Sequence, residues 1–369
     1  MTGPNVDPNS ALYLLALSEN TVHGNGPNGE VATAAADVEL SFGERRRLRA
    51  MHARAAIVMH YGDNHWSQAQ VEGLSSEFRD LGVEVVAVTD AGFRAEQQIA
   101  DIAKVLAERP DVIVSIPTDV MATASAYRSV VDAGVKLVFM DNVPQGFRSG
   151  KDYVSTVAAD NMGGGIVSAH LLARALDGRG RVGVVFHDAD FFVTQQRVKG
   201  FRATISTTYP GMQIAIEQGI TGPDFAAHSQ VAAATMLRDH PDLVGIWAVW
   251  DVPAQGVLAA ARAAGRSDLA ITTIDLGAAV ALDLASGGLI KGIAAQRPFD
   301  QGVVEAILAG YGLLGKAAPP FVALPTLPVS REQVLGVWDE IYRSPAPTDI
   351  VRAAGSGALT NTGGPTTPG

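Results

Sequence analysis

Polar and aromatic side chains crowd the ends of apolar runs throughout this sequence. After IVM come His60, Tyr61, Asp63, Asn64, His65, Trp66 and Ser67; later runs end in PTD (117–119), MDN (140–142), FHDADFF (186–192), VWD (249–251), IDLG (274–277) and AAQRP (294–298). Three chemistries could use such groups. His60, Asp63 and His65, or His187, Asp188 and Asp190, offer metal-ligand atoms, but loop histidines five positions apart do not have the i,i+4 helical spacing of a zincin, and nothing fixes a third ligand. Nucleophilic catalysis finds no G-x-S-x-G elbow, and with no cysteine there is no thiol. Aspartates for a paired-carboxylate hydrolase are present, without a supporting spacing. The third chemistry is recognition of a polar molecule. Ionised Asp accepts hydrogen bonds, Arg donates them in a planar fork, and Asn and Gln do both. Aromatic rings cover C–H faces and exclude water. Asp141 and Asp275 each close a buried run; either one alone is equally read as the cap of the next turn. The literal GxGxxG at Gly24–Gly29 has Pro27 inside it, which removes a backbone N–H, and no βαβ unit surrounds it, so nucleotide binding is not expected there.

Elements of one kind position these groups. Strand-length apolar runs occur at 55–61, 83–88, 111–116, 136–141, 181–186, 243–249, 270–275 and 291–296. Helical patterns lie between them at 66–81, 93–108, 121–133, 162–177, 190–206, 225–239, 253–265 and 298–313. Strands apolar on both faces, each followed by an amphipathic helix, predict parallel sheets covered on both sides. So many strands suit two α/β lobes better than one sheet, and ligands of such sheets bind beyond the carboxyl ends of the strands. Ser41–Glu44 is a capping-box pattern that opens a basic helix over 41–54, read as a solvated face rather than a nucleic-acid contact. Composition agrees: 47% hydrophobic and 18% charged residues suit a globular protein, and a net charge of −10 argues against general affinity for nucleic acid. No run reaches the length of a membrane span, and no secretory signal peptide is visible. Residues 1–40 read as an irregular extension, and 344–369 as a disordered, low-complexity tail.

From about Ala55 to Leu327 the sequence resembles the ribose-binding-protein-like, type I periplasmic binding proteins, the substrate receptors of carbohydrate ABC importers. The resemblance rests on NHWS (64–67), SIPTD (115–119), VFMDN (138–142), VAADN (157–161), QQRVKGF (195–201), GPDF (222–225), WAVWD (247–251), TTIDLG (272–277) and AAQRP (294–298), in family order and spacing. It implies two Rossmann-like lobes with parallel sheets joined by a three-crossing hinge: 55–159 with 297–325, and 160–296 with 326–343. It implies a monosaccharide or short polyol held between closing lobes, and an ABC permease as partner. It further implies a monomer with no catalytic residue, metal, cofactor, nucleic-acid partner or direct membrane insertion.

Residue by residue, Asn64 and Trp66 match the amide and ring of the first loop, Asp141 the acceptor of sugar hydroxyls, Arg197 their donor, and Phe225 an aromatic wall. Asp275 and Gln296 match the acceptor and amide of the second lobe. Asn142 stands where an arginine is often found, Trp250 where an asparagine is common, and Ser67 where a second aromatic is, which leaves the sugar open and a linear polyol plausible. The family places the protein outside the cytoplasm; the absence of a visible signal favours the alternative, a cytoplasmic sugar-sensing domain related to LacI-type regulators. Removing Asp141 or Arg197 is expected to abolish binding with little loss of fold.

Overall fold

The structure is a computed structural model that describes residues 21–189 and 191–356. In chain order the first elements are β1 (Thr33–Ala34), α1 (Phe42–Met51), β2 (Arg54–Met59), α2 (His65–Leu81), β3 (Glu84–Asp90), α3 (Ala95–Ala107), β4 (Val112–Ser115), α4 (Ala124–Asp132), β5 (Lys136–Met140) and β6 (Ser155–Ala159). There follow α5 (Asn161–Ala175), β7 (Arg179–His187), α6 (Phe192–Thr208), β8 (Gly211–Ile220), α7 (Phe225–Asp239), β9 (Leu243–Ala248), α8 (Asp251–Ala263), β10 (Ala270–Ile274), α9 (Ala278–Ala285) and β11 (Ile290–Ala295). The chain ends with α10 (Pro298–Leu314), β12 (Phe321–Leu324), β13 (Leu327–Val329), α11 (Val334–Tyr342) and α12 (Thr348–Ser356). These form two compact units, one of residues 21–161 and 297–325, the other of 162–296 and 326–356. The chain passes from one to the other at 161/162, 296/297 and 325/326.

The first unit is a seven-stranded sheet in the order β1-β12-β6-β5-β4-β2-β3, parallel throughout. Successive strand residues point to opposite faces, and both faces here are apolar. Ala55, Ile57 and Met59 of β2 with Val112 and Val114 of β4 pack beneath Leu74 and Phe78 of α2 and Val304 and Leu308 of α10. The intervening Ala56, Val58 and Ile113 pack against Ile102 and Val105 of α3 and Tyr127 and Val130 of α4. On the first face α2 and α10 approach closely. A Cβ at Gly73 would lie 2.1 Å from the Phe299 carbonyl oxygen, and one at Gly302 would lie 2.4 Å from that of Gln70. Glycine is required at both.

The second unit has the order β13-β11-β10-β9-β7-β8, parallel except for the β11–β13 pair. Trp247 of β9 lies in its core, stacked on Phe201 of α6 at 4.6 Å, with its indole N–H donating to Ser168 Oγ at 2.8 Å. In each sheet the strand that opens the alternating pattern, β2 or β7, sits inside the order. The chain runs outward to β3 or β8 and then returns across to β4 or β9. The loops after β2 and β7 therefore stand at topological switch points, where open α/β sheets take their ligands.

Several expectations need correction. The stretch 348–356, read as part of a disordered tail, is helix α12: Ile350 is fully buried, and the helix packs on α9 and α11. Low complexity conceals one apolar anchor there. The stretch read as an irregular extension holds β1, which pairs with β12, and an antiparallel bridge between Asn25 and Val31. Residues 1–20 and 357–369, and Asp190, lie outside the described residues. Helix α1 carries Arg46, Arg47 and Arg49 on an exposed face, while Leu48 on the other is fully buried, Arg45 Nη1 is 2.8 Å from Glu77, and Ser41 and Glu44 complete the capping box. The helix expected to begin near Asp190 begins at Phe192. Strands β6, β8, β12 and β13 and helices α9 and α11 were not anticipated.

Candidate functional site

In the first unit the loop after β2 leads to Asn64, which caps α2 by accepting the Ser67 N–H at 2.7 Å through Oδ1. That bond engages the side-chain carbonyl in the helix cap. Trp66 is half-buried, packed against the core below it, with its ring edge-on to His60 at 6.1 Å. His60 also meets Phe93 edge-on at 4.7 Å, and Phe93 stacks on Tyr61 at 5.0 Å. Burial among these rings pushes the His60 imidazole down to about 4, against the opposing pull of Asp90's charge. His60 is thus a neutral part of an aromatic cluster, and its buried Nδ1 has no hydrogen-bond partner among the described residues.

Asp141 and Asn142 follow β5 and are buried. Asp141 has φ 55°, the left-handed region that Asp and Asn tolerate better than other side-chain-bearing residues. Its N–H donates to the Val157 carbonyl at 2.8 Å, and its Oδ1 lies 3.4 Å from Gln301 Nε2. Asn142 Nδ2 is buried and has no partner among the described residues; a buried amide without an acceptor costs about 1–3 kcal/mol.

The second unit repeats the design. Asp275 follows β10 with φ 71°. Arg197 Nη1 donates to Asp275 Oδ2 at 3.1 Å and to the Val249 carbonyl at 3.2 Å, and Gln296 Nε2 donates to Asp275 Oδ1 at 2.5 Å. The Val249 carbonyl immediately precedes Trp250, so the ion pair adjoins the aromatic group. Trp250 meets Phe225 edge-on at 4.9 Å, and His187 touches Phe225, Trp250 and Phe191 at 5.4, 5.6 and 5.9 Å. Burial lowers the His187 pKa, with Asp188 opposing. His60 and His187 therefore hold equivalent places, each at a switch point and each set in aromatic rings. Among the described residues no group of three or more His, Asp or Glu converges to hold a metal.

Two features of this geometry escape the sequence. Arg197 is 5% exposed and holds both a largely buried carboxylate and a strand-end carbonyl, an anchoring place in the unit that the sequence does not show. Asp251, at the start of α8, lies over Gly277, where a Cβ would come within 1.9 Å of its Oδ2. Its pKa is raised, first by burial and then by the charge of Asp275, with Arg197 acting against both. Gln301 and Glu305 were likewise not singled out, although a Gln and a Glu four apart in a mostly apolar helix are a signal in themselves.

The GxGxxG segment is a small hairpin. Gly26 N–H bonds to Glu30 O at 2.7 Å, Gly29 N–H to Gly26 O at 2.9 Å, and Gly24 N–H to Asp160 Oδ1 at 3.1 Å. Its amides are occupied by the protein itself.

Two Rossmann-like units linked by three chain passages, with planar polar groups and aromatic rings gathered at strand ends, define the type I periplasmic binding protein fold. The chain belongs to the periplasmic binding protein domain family, which matches residues 55–313. It is 28% identical over 232 residues to a D-ribose/D-allose-binding protein of Pseudomonas aeruginosa, covering 60% of this chain and 71% of that one. It is 25% identical over 266 residues to a D-apiose import binding protein of Actinobacillus succinogenes, covering 72% and 83%. Among solved structures, a solute-binding protein of an Agrobacterium vitis ABC transporter, bound to α-D-tagatopyranose, superposes with a TM-score of 0.71 at 23% identity, over 79% of this chain and 99% of that one. At that identity the likeness speaks for the fold. The relatives are binding receptors, and the chain belongs with receptors rather than enzymes.

Proposed function

We propose that this protein is the solute receptor of a carbohydrate ABC importer and binds a monosaccharide or short polyol. The observation that carries the reading is the repeated arrangement at the strand ends: in each unit an aspartate in left-handed backbone, held by a glutamine amide, in a unit that also sets a histidine in aromatic rings at its switch point. Carboxylates and amides match hydroxyl groups, which donate and accept at once, and rings match the C–H faces between them. The proposed contacts are Asn64, Trp66, Asp141 and Asn142 in the first unit, and Arg197, Phe225, Trp250, Asp275 and Gln296 in the second. The names of the relatives support a sugar ligand, an importer as partner and action outside the cytoplasm.

The protein acts as a monomer in this reading and contacts no nucleic acid. Among the described residues, 21–54 hold a two-residue strand and one long helix docked on the unit, rather than the helix pair of a DNA-binding head. No described helix is long and apolar enough to cross a membrane.

A ligand that binds only the native state raises its apparent stability. Thermal-shift measurements with D-ribose, D-allose, D-apiose, D-tagatose, D-arabinose, allitol and myo-inositol are expected to give a concentration-dependent rise in Tm for at least one. A panel in which no sugar or polyol raises Tm while a nucleotide or amino acid does would overturn the reading.

A further inference from the structure

Helix α10 carries two buried polar side chains that the ligand set above does not include. Gln301 is 1% exposed and Glu305 is fully buried, one helical turn further on. Gln301 Nε2 has three acceptors in reach: Glu305 Oε1 at 3.1 Å, the Val157 carbonyl at 3.3 Å and Asp141 Oδ1 at 3.4 Å. The same Val157 carbonyl accepts the backbone N–H of Asp141. Backbone and side chain of Asp141 are thus tied to one carbonyl of β6, directly in the first case and through Gln301 in the second.

We propose that Gln301 and Glu305 are positioning residues for Asp141: they fix the carboxylate orientation on which ligand recognition by this unit depends. The inference rests on the reading of Asp141 as a hydrogen-bond acceptor for a sugar or polyol. An amide NH2 has two hydrogens and cannot serve three acceptors fully. How it divides them depends on Glu305. As a neutral acid, Glu305 competes weakly through a carbonyl oxygen and leaves the amide to Asp141 and Val157. As an anion it would draw the amide to itself and set a second negative charge near Asp141. Burial favours the neutral acid, and the charge of Asp141 reinforces that preference, against the hydrogen bond from Gln301. The helix cannot shift to relieve the competition, because Gly302 and Gly73 hold α10 and α2 at backbone contact.

The test measures affinity by tryptophan fluorescence for the tightest-binding member of the sugar and polyol panel, with the Tm of the ligand-free protein recorded alongside. Q301A is expected to weaken binding about 10- to 100-fold, the range for a lost hydrogen bond to a charged group. E305A, which removes the Oε1 contact that helps hold the Gln301 amide in place, weakens it less, and E305Q, which keeps shape and neutrality, stays within about threefold of wild type. Should Q301A fold poorly, Gln301→Met and E305A carry the same comparison. A purely structural role would lower Tm and leave affinity unchanged in the folded protein. Wild type binding a panel member while Q301A and E305A bind it equally well overturns the positioning role and leaves the carbohydrate reading intact. Wild type binding none of the panel overturns the carbohydrate reading, and this inference with it.

Discussion

Replacing Arg197 by methionine separates two roles that one side chain holds. The guanidinium is 5% exposed, and its partner Asp275 is 16% exposed. Methionine roughly preserves volume and removes both the charge and the donor to Val249. What remains is a largely buried carboxylate close to a second one, Asp251, with no cation between them. Removing one member of a buried pair costs about 3–5 kcal/mol, mostly from the charge left behind. In a folding unit of this size each kcal/mol moves Tm by roughly 2–4 °C, so a fall of about 6–20 °C is expected without ligand. The deficit should be larger at pH 8 than at pH 5, because protonation relieves the stranded carboxylate at low pH and that relief is lost as pH rises.

The decisive comparison is the double variant R197M/D275N. Neutralising both partners of a buried pair is often nearly neutral for stability, so the second change should restore most of the Tm lost to the first, a coupling that a double-mutant cycle reads directly. Differential scanning fluorimetry at both pH values suffices. If R197M melts within 2 °C of wild type, roughly the shift from 1 kcal/mol or less, or if D275N adds its own loss to that of R197M, the ion pair does not do what its geometry indicates.

Asp141→Asn keeps a residue tolerated at φ 55° and removes only the charge; sugar affinity should fall at least about tenfold with Tm nearly unchanged, measured by titration and melting. His60, depressed to about 4 from an unfolded value near 6.5, contributes stability that is full above pH 6.5 and is lost as pH falls toward 4, on the order of 3 kcal/mol. H60F should flatten that acid limb in urea titrations at pH 7 and pH 4.5, and an unchanged limb would remove His60 as its source. Gly73→Ala places a methyl 2.1 Å from a backbone oxygen, so overpacking should cost about 1–3 kcal/mol by chemical denaturation, whereas Ala at Gly43, which has open space, should cost little.

Much of the fold was legible because β2, β4, β5, β7, β9 and β10 are apolar on both faces and read as unbroken runs. β8 escaped because it is an edge strand of mixed exposure with polar residues among its apolar ones. β6 escaped because VAADN was read as a crossing rather than as a strand. Asp141 and Asn142 follow β5, Asp275 follows β10 and Gln296 follows β11, whereas Arg197 lies within α6; their internal bonding could not be read. Nothing in TTIDLG says that Arg197, 78 residues earlier, donates to Asp275. Likewise, nothing in WAVWD says that Asp251 lies over Gly277. Such pairings are made by the sheet order, which brings β7, β9, β10 and β11 side by side, and a linear pattern does not encode them. Glu305 shows the opposite limit. It was visible as one acid within VVEAILAG, yet only the fold shows it fully buried beside Gln301.

The left-handed backbone at Asp141 and Asp275 also bears on how such a receptor can change its ligand. At those φ values, most side chains carry a strain that Gly avoids and that Asn and Asp reduce, so each position has an alphabet of about three letters. Trp250, at φ −160°, has no such restriction, and the extended backbone there admits any residue. On the proposed reading, divergence toward new solutes is therefore channelled away from the acceptor of each unit and into the aromatic residues near it. Libraries built to retarget this protein would gain most from randomising Trp250 and Phe225 while leaving 141 and 275 untouched.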